Sequence, residues 1–251
     1  MEIPYQIHVH HDKRLKDYLF DFFMLFFAVT LGFFVENTRE HLSRNKKEKE
    51  YMRSMIQDLK EDTAKTTAYI NYNSGLLSGL DSLIKIIYLY RKGDTLVTKN
   101  LYLWYTAYAR STYAVHFTDR TITQLKSSGF FSTLSAAVSD SILKYEEATE
   151  AARAQENSYK DGLAKALDFS GNIFDYRYIR YNVNFSSKDY YKYQTQTNYK
   201  LLTEDAFTLT KYANMLELWK QVIVVYIWNL QSVKVRAQFL IPFLQKEYNI
   251  T

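Results

Sequence analysis

Cysteine is absent from the chain, which excludes disulfides, thiolate metal sites and cysteine nucleophiles together. Proline occurs twice and glycine seven times in 251 residues. That is too little punctuation for a protein built from sheets and tight turns, and it favours helices. No G-x-G-x-x-G, phosphate loop, G-x-S-x-G or H-E-x-x-H is present, so the commonest local catalytic signatures are missing. His41 and His116 stand alone, whereas a general base needs a partner to orient it. Glu146, Glu147 and Glu150 read as a solvated face with Lys144 nearby. Charge of one sign is also scarce: Lys plus Arg exceed Asp plus Glu only by 32 to 27. The basic residues interleave with acids in KKEKEY and DLKED, the pattern of solvated helix faces rather than of a phosphate-binding stripe. The chain is therefore expected to be neither an enzyme nor a nucleic-acid binder, with no cofactor and no metal. His8, His10, His11 and Asp12 are ligand types, but a short polar tail does not hold them on fixed backbone.

What the chain has is one long apolar run, YLFDFFMLFFAVTLGFFV, from Tyr18 to Val35. At the helical rise these residues reach about 27 Å, close to the hydrocarbon thickness of a bilayer. From Phe22 to Val35 the run is apolar all round, whereas a buried core helix usually keeps a polar face. Lys13, Arg14 and Lys16 precede it as in a signal peptide, but no small-residue cleavage triplet follows before Glu36, so an uncleaved anchor is expected. Asp21 is the ionisable residue within the run and the candidate ion or proton site. Its bland reading is an interfacial carboxylate near Asp17 and Arg14. The expected organisation is a cytoplasmic tail at 1–17, a transmembrane helix at 18–35 and a helical stalk and bundle at 36–251.

Past the anchor, Leu42, Met52, Ile56, Leu59, Thr63, Thr66, Ile70, Leu77, Leu80, Ile84 and Ile87 recur mostly at steps of three, four or seven, one stripe of a long stalk helix ending at Gly93-Asp94. The part from Leu42 to Ile70 approximates a heptad seam and suggests pairing with sister chains. Arg39 to Lys49 is almost wholly polar and must rely on ion pairs, helix propensity or such neighbours. Thr98 is a plausible cap for a second helix, Thr118 or Asp119 for a third that Gly129 closes, and Ser132 or Ser139 for a longer fourth. Residues 170–203 read as a long irregular connection. Glu204 to Gln238, with Phe207, Leu218, Trp219, Val225 and Tyr226 among its apolar residues, reads as the central core helix, broken near its end by Pro242. The fold class is thus all-α: a transmembrane helix, a stalk and an antiparallel bundle.

Within the connection, Tyr176, Arg177, Tyr178, Arg180, Tyr181, Tyr190, Tyr191 and Tyr193 form a tyrosine- and arginine-rich stretch. Such residues are enriched at interaction surfaces; they also serve as amphipathic cover for a bundle.

The aromatic-rich span, the following E-N-T-R-E and the run ending in E-Y-M-R-S-M-I-Q-D-L-K-E-D resemble a bacterial family of unknown function made of small single-pass membrane proteins. T-I-T-Q-L-K-S-S-G-F at 121–130 looks like that family's central segment. The resemblance implies an inner-membrane protein with a helical domain outside the cytoplasm, and transfers no catalytic residue. Two functions follow as expectations. One is a membrane-anchored scaffold, contacting lipid, homo-oligomeric and part of an envelope protein complex; the other is a sensory or channel-like protein coupling a ligand or ion to the span.

Overall fold

The computed structural model describes residues 15–113, 115–179, 181–182, 192–193 and 199–250. The expected all-α architecture is observed. Five helices, α1 (Leu15–Leu89), α2 (Thr95–Tyr108), α3 (Arg120–Ser127), α4 (Ala136–Ser170) and α5 (Ala206–Glu247), carry most of these residues. Two short strands, β1 (Tyr181–Asn182) and β2 (Lys192–Tyr193), pair antiparallel with Tyr181 opposite Tyr193. The chain divides into two compact units, residues 1–51 and 52–251, with the boundary inside α1.

The first unit is the N-terminal part of α1, and nothing in the second unit's core is needed to explain it. Its apolar residues stand in the open: Phe20, Phe33 and Phe34 are 66, 74 and 69% exposed. Rings stack along the helix at the i, i+4 spacing, Phe22 on Phe26 and Phe23 on Phe27, each with centroids 6.3 Å apart. The Thr30 and Thr38 hydroxyls donate back to the Phe26 and Phe34 carbonyls at 2.7 and 2.8 Å, so neither hydroxyl asks for water. Beyond it, the polar segment uses local pairs, Arg39 with Glu36 at 2.6 Å and Arg44 with Glu40 at 3.1 Å, which solvent screens.

The second unit is a bundle of three long helices. Tyr159 meets Tyr226, and Phe169 meets Tyr212, so α4 and α5 run antiparallel. Asp81 of α1 pairs with Lys220, and Tyr88 with Asn214, which sets α1 antiparallel to α5 as well. The expected stripe is real but largely used inside the chain: Met52, Ile56, Leu59, Thr66, Leu80, Ile84 and Ile87 are buried, while Leu42 is 67% exposed. From Met52 onward the seam expected between sister chains is therefore occupied by the protein's own helices.

Local chemistry explains the helix ends, with several corrections. Gly93 (φ 82°) and Gly129 (φ 74°) take the left-handed conformation that ends a turn without a Cβ clash. The α2 cap is Asp94, whose carboxylate accepts from the Leu96 and Val97 N–H groups, not Thr98, which is buried within the helix. Ser135, not Ser132 or Ser139, caps α4. Asp119 precedes α3 without a side-chain capping bond. Pro242 lies inside α5, which continues to Glu247; the only N–H it forfeits would have bonded the carbonyl of the exposed Gln238, which water can serve.

Two glycines in helix interiors give opposite expectations. At Gly75 a Cβ would meet nothing within 4 Å, so Gly75→Ala should stabilise by about 0.5–1 kcal/mol through helix propensity. At Gly162 it would lie 2.4 Å from Trp219 Cδ1, and the ring is held by its Nε1–H bond to the Tyr159 carbonyl at 3.0 Å. Gly162→Ala should therefore destabilise, by roughly 1–3 kcal/mol. Urea denaturation followed by circular dichroism measures both; equal and same-signed shifts would contradict this packing.

Candidate functional site

The polar centre of the bundle starts from two carboxylates one turn apart on α1, Asp58 and Asp62, which are 2% and 0% exposed. They belong to the DLKED segment, whose charges suggest a solvated face; the structure corrects this. Asp58 accepts from Arg120 Nε at 2.7 Å and from the Thr121 hydroxyl. Asp62 takes the Thr118 backbone N–H on both oxygens at 3.0 Å and the Tyr145 hydroxyl at 2.6 Å. Lys65 stands 3.5 Å from Asp62 and donates to the Thr118 hydroxyl at 2.9 Å. Burial, with the Asp62 charge next, pushes the Tyr145 hydroxyl far above the phenol range, so it remains a donor. Every contact runs to a residue more than fifty positions away or to α1 itself. The pair is a clamp: it fixes the start of α3 and the end of the segment that leads into it.

That segment carries Tyr113 onto α1. Its ring lies 5.2 Å from Tyr69 and 5.6 Å from Tyr72, and the three tyrosines with Lys65 and Ala68 line an open cleft of about 340 Å³. Behind it, Tyr159 and Tyr226 stack at 4.9 Å, both fully buried. Their hydroxyls turn toward the backbone of Tyr113 and Val115, yet have no hydrogen-bond partner at normal geometry among the described residues. Glu156, 8% exposed, pairs with Lys160. Its charge, after burial and Tyr113, raises the Tyr69 pKa. The cleft therefore presents the rings of three tyrosines beside the Lys65 side chain. Such a surface can stack on a ring or accept a small organic cation, and it offers no activated nucleophile.

A second aromatic cluster absorbs part of the tyrosine stretch. Tyr105 stacks on Phe174 at 4.0 Å, Tyr102 packs edge-on against Phe174 and Tyr178, and Tyr176 shares hydrogen bonds with Tyr105 and Ser170. Tyr176 and Tyr178 thus cover the bundle. Arg177 turns outward and pairs with Asp175 at 2.6 Å, holding that carboxyl below its usual range. Tyr181 and Tyr193 face each other across the strand pair. Arg180, Tyr190, Tyr191, His8, His10, His11 and Asp12 lie outside the described residues. Asp21 sits on the exposed helix of the first unit. Glu146, expected on a solvated face beside Lys144, instead pairs with Lys126 of α3 at 2.6 Å, while Lys144 pairs with Asp140. Among the described residues no group of three or more metal-ligating side chains converges.

Sequence reasoning missed Asp58, Asp62, Tyr145 and Thr118. One signal was available: Met55, Leu59, Asp62 and Thr66 fall at steps of four, three and four, which sets Asp62 on the buried stripe. No protein-family model, curated protein or solved structure matches the chain.

Proposed function

We propose that the protein is a membrane-anchored scaffold or interaction module: the N-terminal helix holds it in a bilayer, and the bundle presents surfaces to other proteins. The observation that carries this reading is the exposure of the apolar run. Among the described residues one helix is long and apolar enough to cross a membrane, and none of that stretch is buried. In water each large apolar side chain so exposed forgoes about 1.5–3 kcal/mol, and a bilayer removes that loss. The bundle, in turn, spends its buried polar groups on holding its own segments, which suits a scaffold. The inner membrane, a single pass and a bundle outside the cytoplasm complete the proposal, in keeping with the family resemblance and the uncleaved-anchor reading.

The exposed tyrosine cleft favours a second reading, a sensory protein, because Lys65, Ala68, Tyr69 and Tyr72 all belong to the helix that begins with the apolar run.

Alkaline carbonate should leave the chain in the membrane pellet, and protease added to intact spheroplasts should digest residues 40–251. Release into the supernatant would refute the anchor. Digestion only after permeabilisation would place the bundle in the cytoplasm.

A further inference from the structure

Among the described residues the outer face of α5 has no partner in the bundle. The buried set of this helix, Trp219, Ile223, Tyr226 and Leu230, faces α4 and α1. Leu218 and Val225 were expected in the core, yet they lie on the opposite face and are 63 and 40% exposed, and Trp228, Val235 and Phe239 beside them are 68, 63 and 63% exposed. With Gln221, Ser232 and Pro242 these positions run 218, 221, 225, 228, 232, 235, 239, 242. The steps are three and four in strict alternation, the spacing of a coiled-coil seam about 36 Å long. Contiguous exposed apolar side chains of this kind mark interaction surfaces. A groove of about 690 Å³ flanks it, bounded by Ser141 and Lys144 of α4 and by Arg236, and gives room for side chains from an opposing helix.

We infer that this face is the interface between two copies of the chain, α5 against α5. The proposal deepens the scaffold reading and rests on it for the anchoring that keeps copies in one plane. Three features select a second copy. The seam matches itself, since an identical helix brings the same alternation of apolar positions. With two parallel α5 helices in register, its two polar positions, Gln221 and Ser232, each meet their own copy. The positions beside the seam from 217 to 243 hold only one acid, Glu217, and one base, Arg236, so two copies meet without like-charge rows. Anchoring confines copies to a plane and raises their effective concentration, which allows a modest interface to hold.

Because the chain has no cysteine, single cysteines report the contact directly. The full chain in mild detergent should be a dimer. Cysteine at Trp228 or at Val235 should give oxidative crosslinks, homotypic or in the mixed 228–235 pair, and cysteine at the exposed α4 positions Ala154 and Asn157 should not. Trp228→Glu should weaken the dimer at least about 30-fold by sedimentation, the effect of losing one interface hot spot. Unchanged circular dichroism would show the bundle intact; Trp228→Gln, without the charge, should weaken it in the same direction. A monomeric wild type overturns the inference. So does a dimer that crosslinks at Leu42 but nowhere on α5. In nanodiscs, quenching of a fluorophore at position 228 by spin-labelled lipid would assign the face to the bilayer and overturn it too. Failure of the scaffold reading is seen separately: carbonate release of a chain that still crosslinks at 228 removes the anchor and keeps the seam.

Discussion

Asp62→Ala is expected to destabilise the bundle by about 3–5 kcal/mol, the range for removing one partner from a buried charged network. The carboxylate is fully buried and is the acceptor for the Thr118 N–H and the Tyr145 hydroxyl. Alanine leaves both donors without an acceptor in a site closed to water, and each such loss costs about 1–3 kcal/mol. For a unit of this size the melting temperature should fall by roughly 10 °C. Asp62→Asn keeps one acceptor oxygen and should cost less, while Tyr145→Phe should cost about 1 kcal/mol, since it removes donor and demand together. The effect should also be spatially directed. With the clamp open, amides around Thr118 and Tyr113 should exchange hydrogen faster than those of α4 and α5, and the Tyr69–Tyr113 ring contact should loosen. A loss below 1 kcal/mol for Asp62→Ala, or uniform exchange, would show that the segment is held by packing alone.

Trp219→Ala should cost a comparable 3–5 kcal/mol by a different route. The side chain is 1% exposed, lies against Tyr159 with centroids 6.2 Å apart, and fills the space that Gly162 leaves on α4. Truncation removes the apolar burial and opens a cavity between two helices whose backbones are already close, so little collapse is available to refill it. Trp219→Phe should restore more than half of the loss, because the indole N–H bond to the Tyr159 carbonyl is the smaller contribution. The double variant Trp219→Ala with Gly162→Ala should be less harmful than the separate losses added together, since the new methyl then occupies vacated space. Strict additivity in chemical denaturation would mean that the two positions do not share that space.

These two positions also mark how far the amino-acid order could be followed. Trp219 lies in the segment from Glu204 to Gln238 that was expected to be the central core helix, because periodic burial is a property of one helix and its own residues declare it. Asp58 looks like its solvated neighbours, and Asp62 differs from them only in its place on the apolar stripe. A carboxylate four residues from another, among lysines, looks the same in water as it does beneath α3. What decides is the arrival of Thr118, Arg120, Thr121 and Tyr145 from more than fifty residues away. The cleft was hidden for the same reason: Tyr69, Tyr72 and Tyr113 come together only because the clamp places the segment that carries the last of them.

The sequence by itself determined the features that depend on neighbours in the chain. These are the apolar run at 18–35, the helical class that scarce proline and glycine imply, the turns at Gly93 and Gly129, and the ion pairs Glu36–Arg39 and Glu40–Arg44. Each follows from hydrophobicity, backbone freedom or charge within one or two turns. Tertiary structure alone decided which stripe was spent. Met52, Ile56, Leu59 and Thr66 lie at a spacing that suits a sister chain, yet are buried inside their own bundle, whereas Leu218, Val225, Trp228, Val235 and Phe239 at the same spacing remain open. A helix period states that a face will be buried. Which partner buries it depends on helices far apart in sequence, and on the free energy of packing them together.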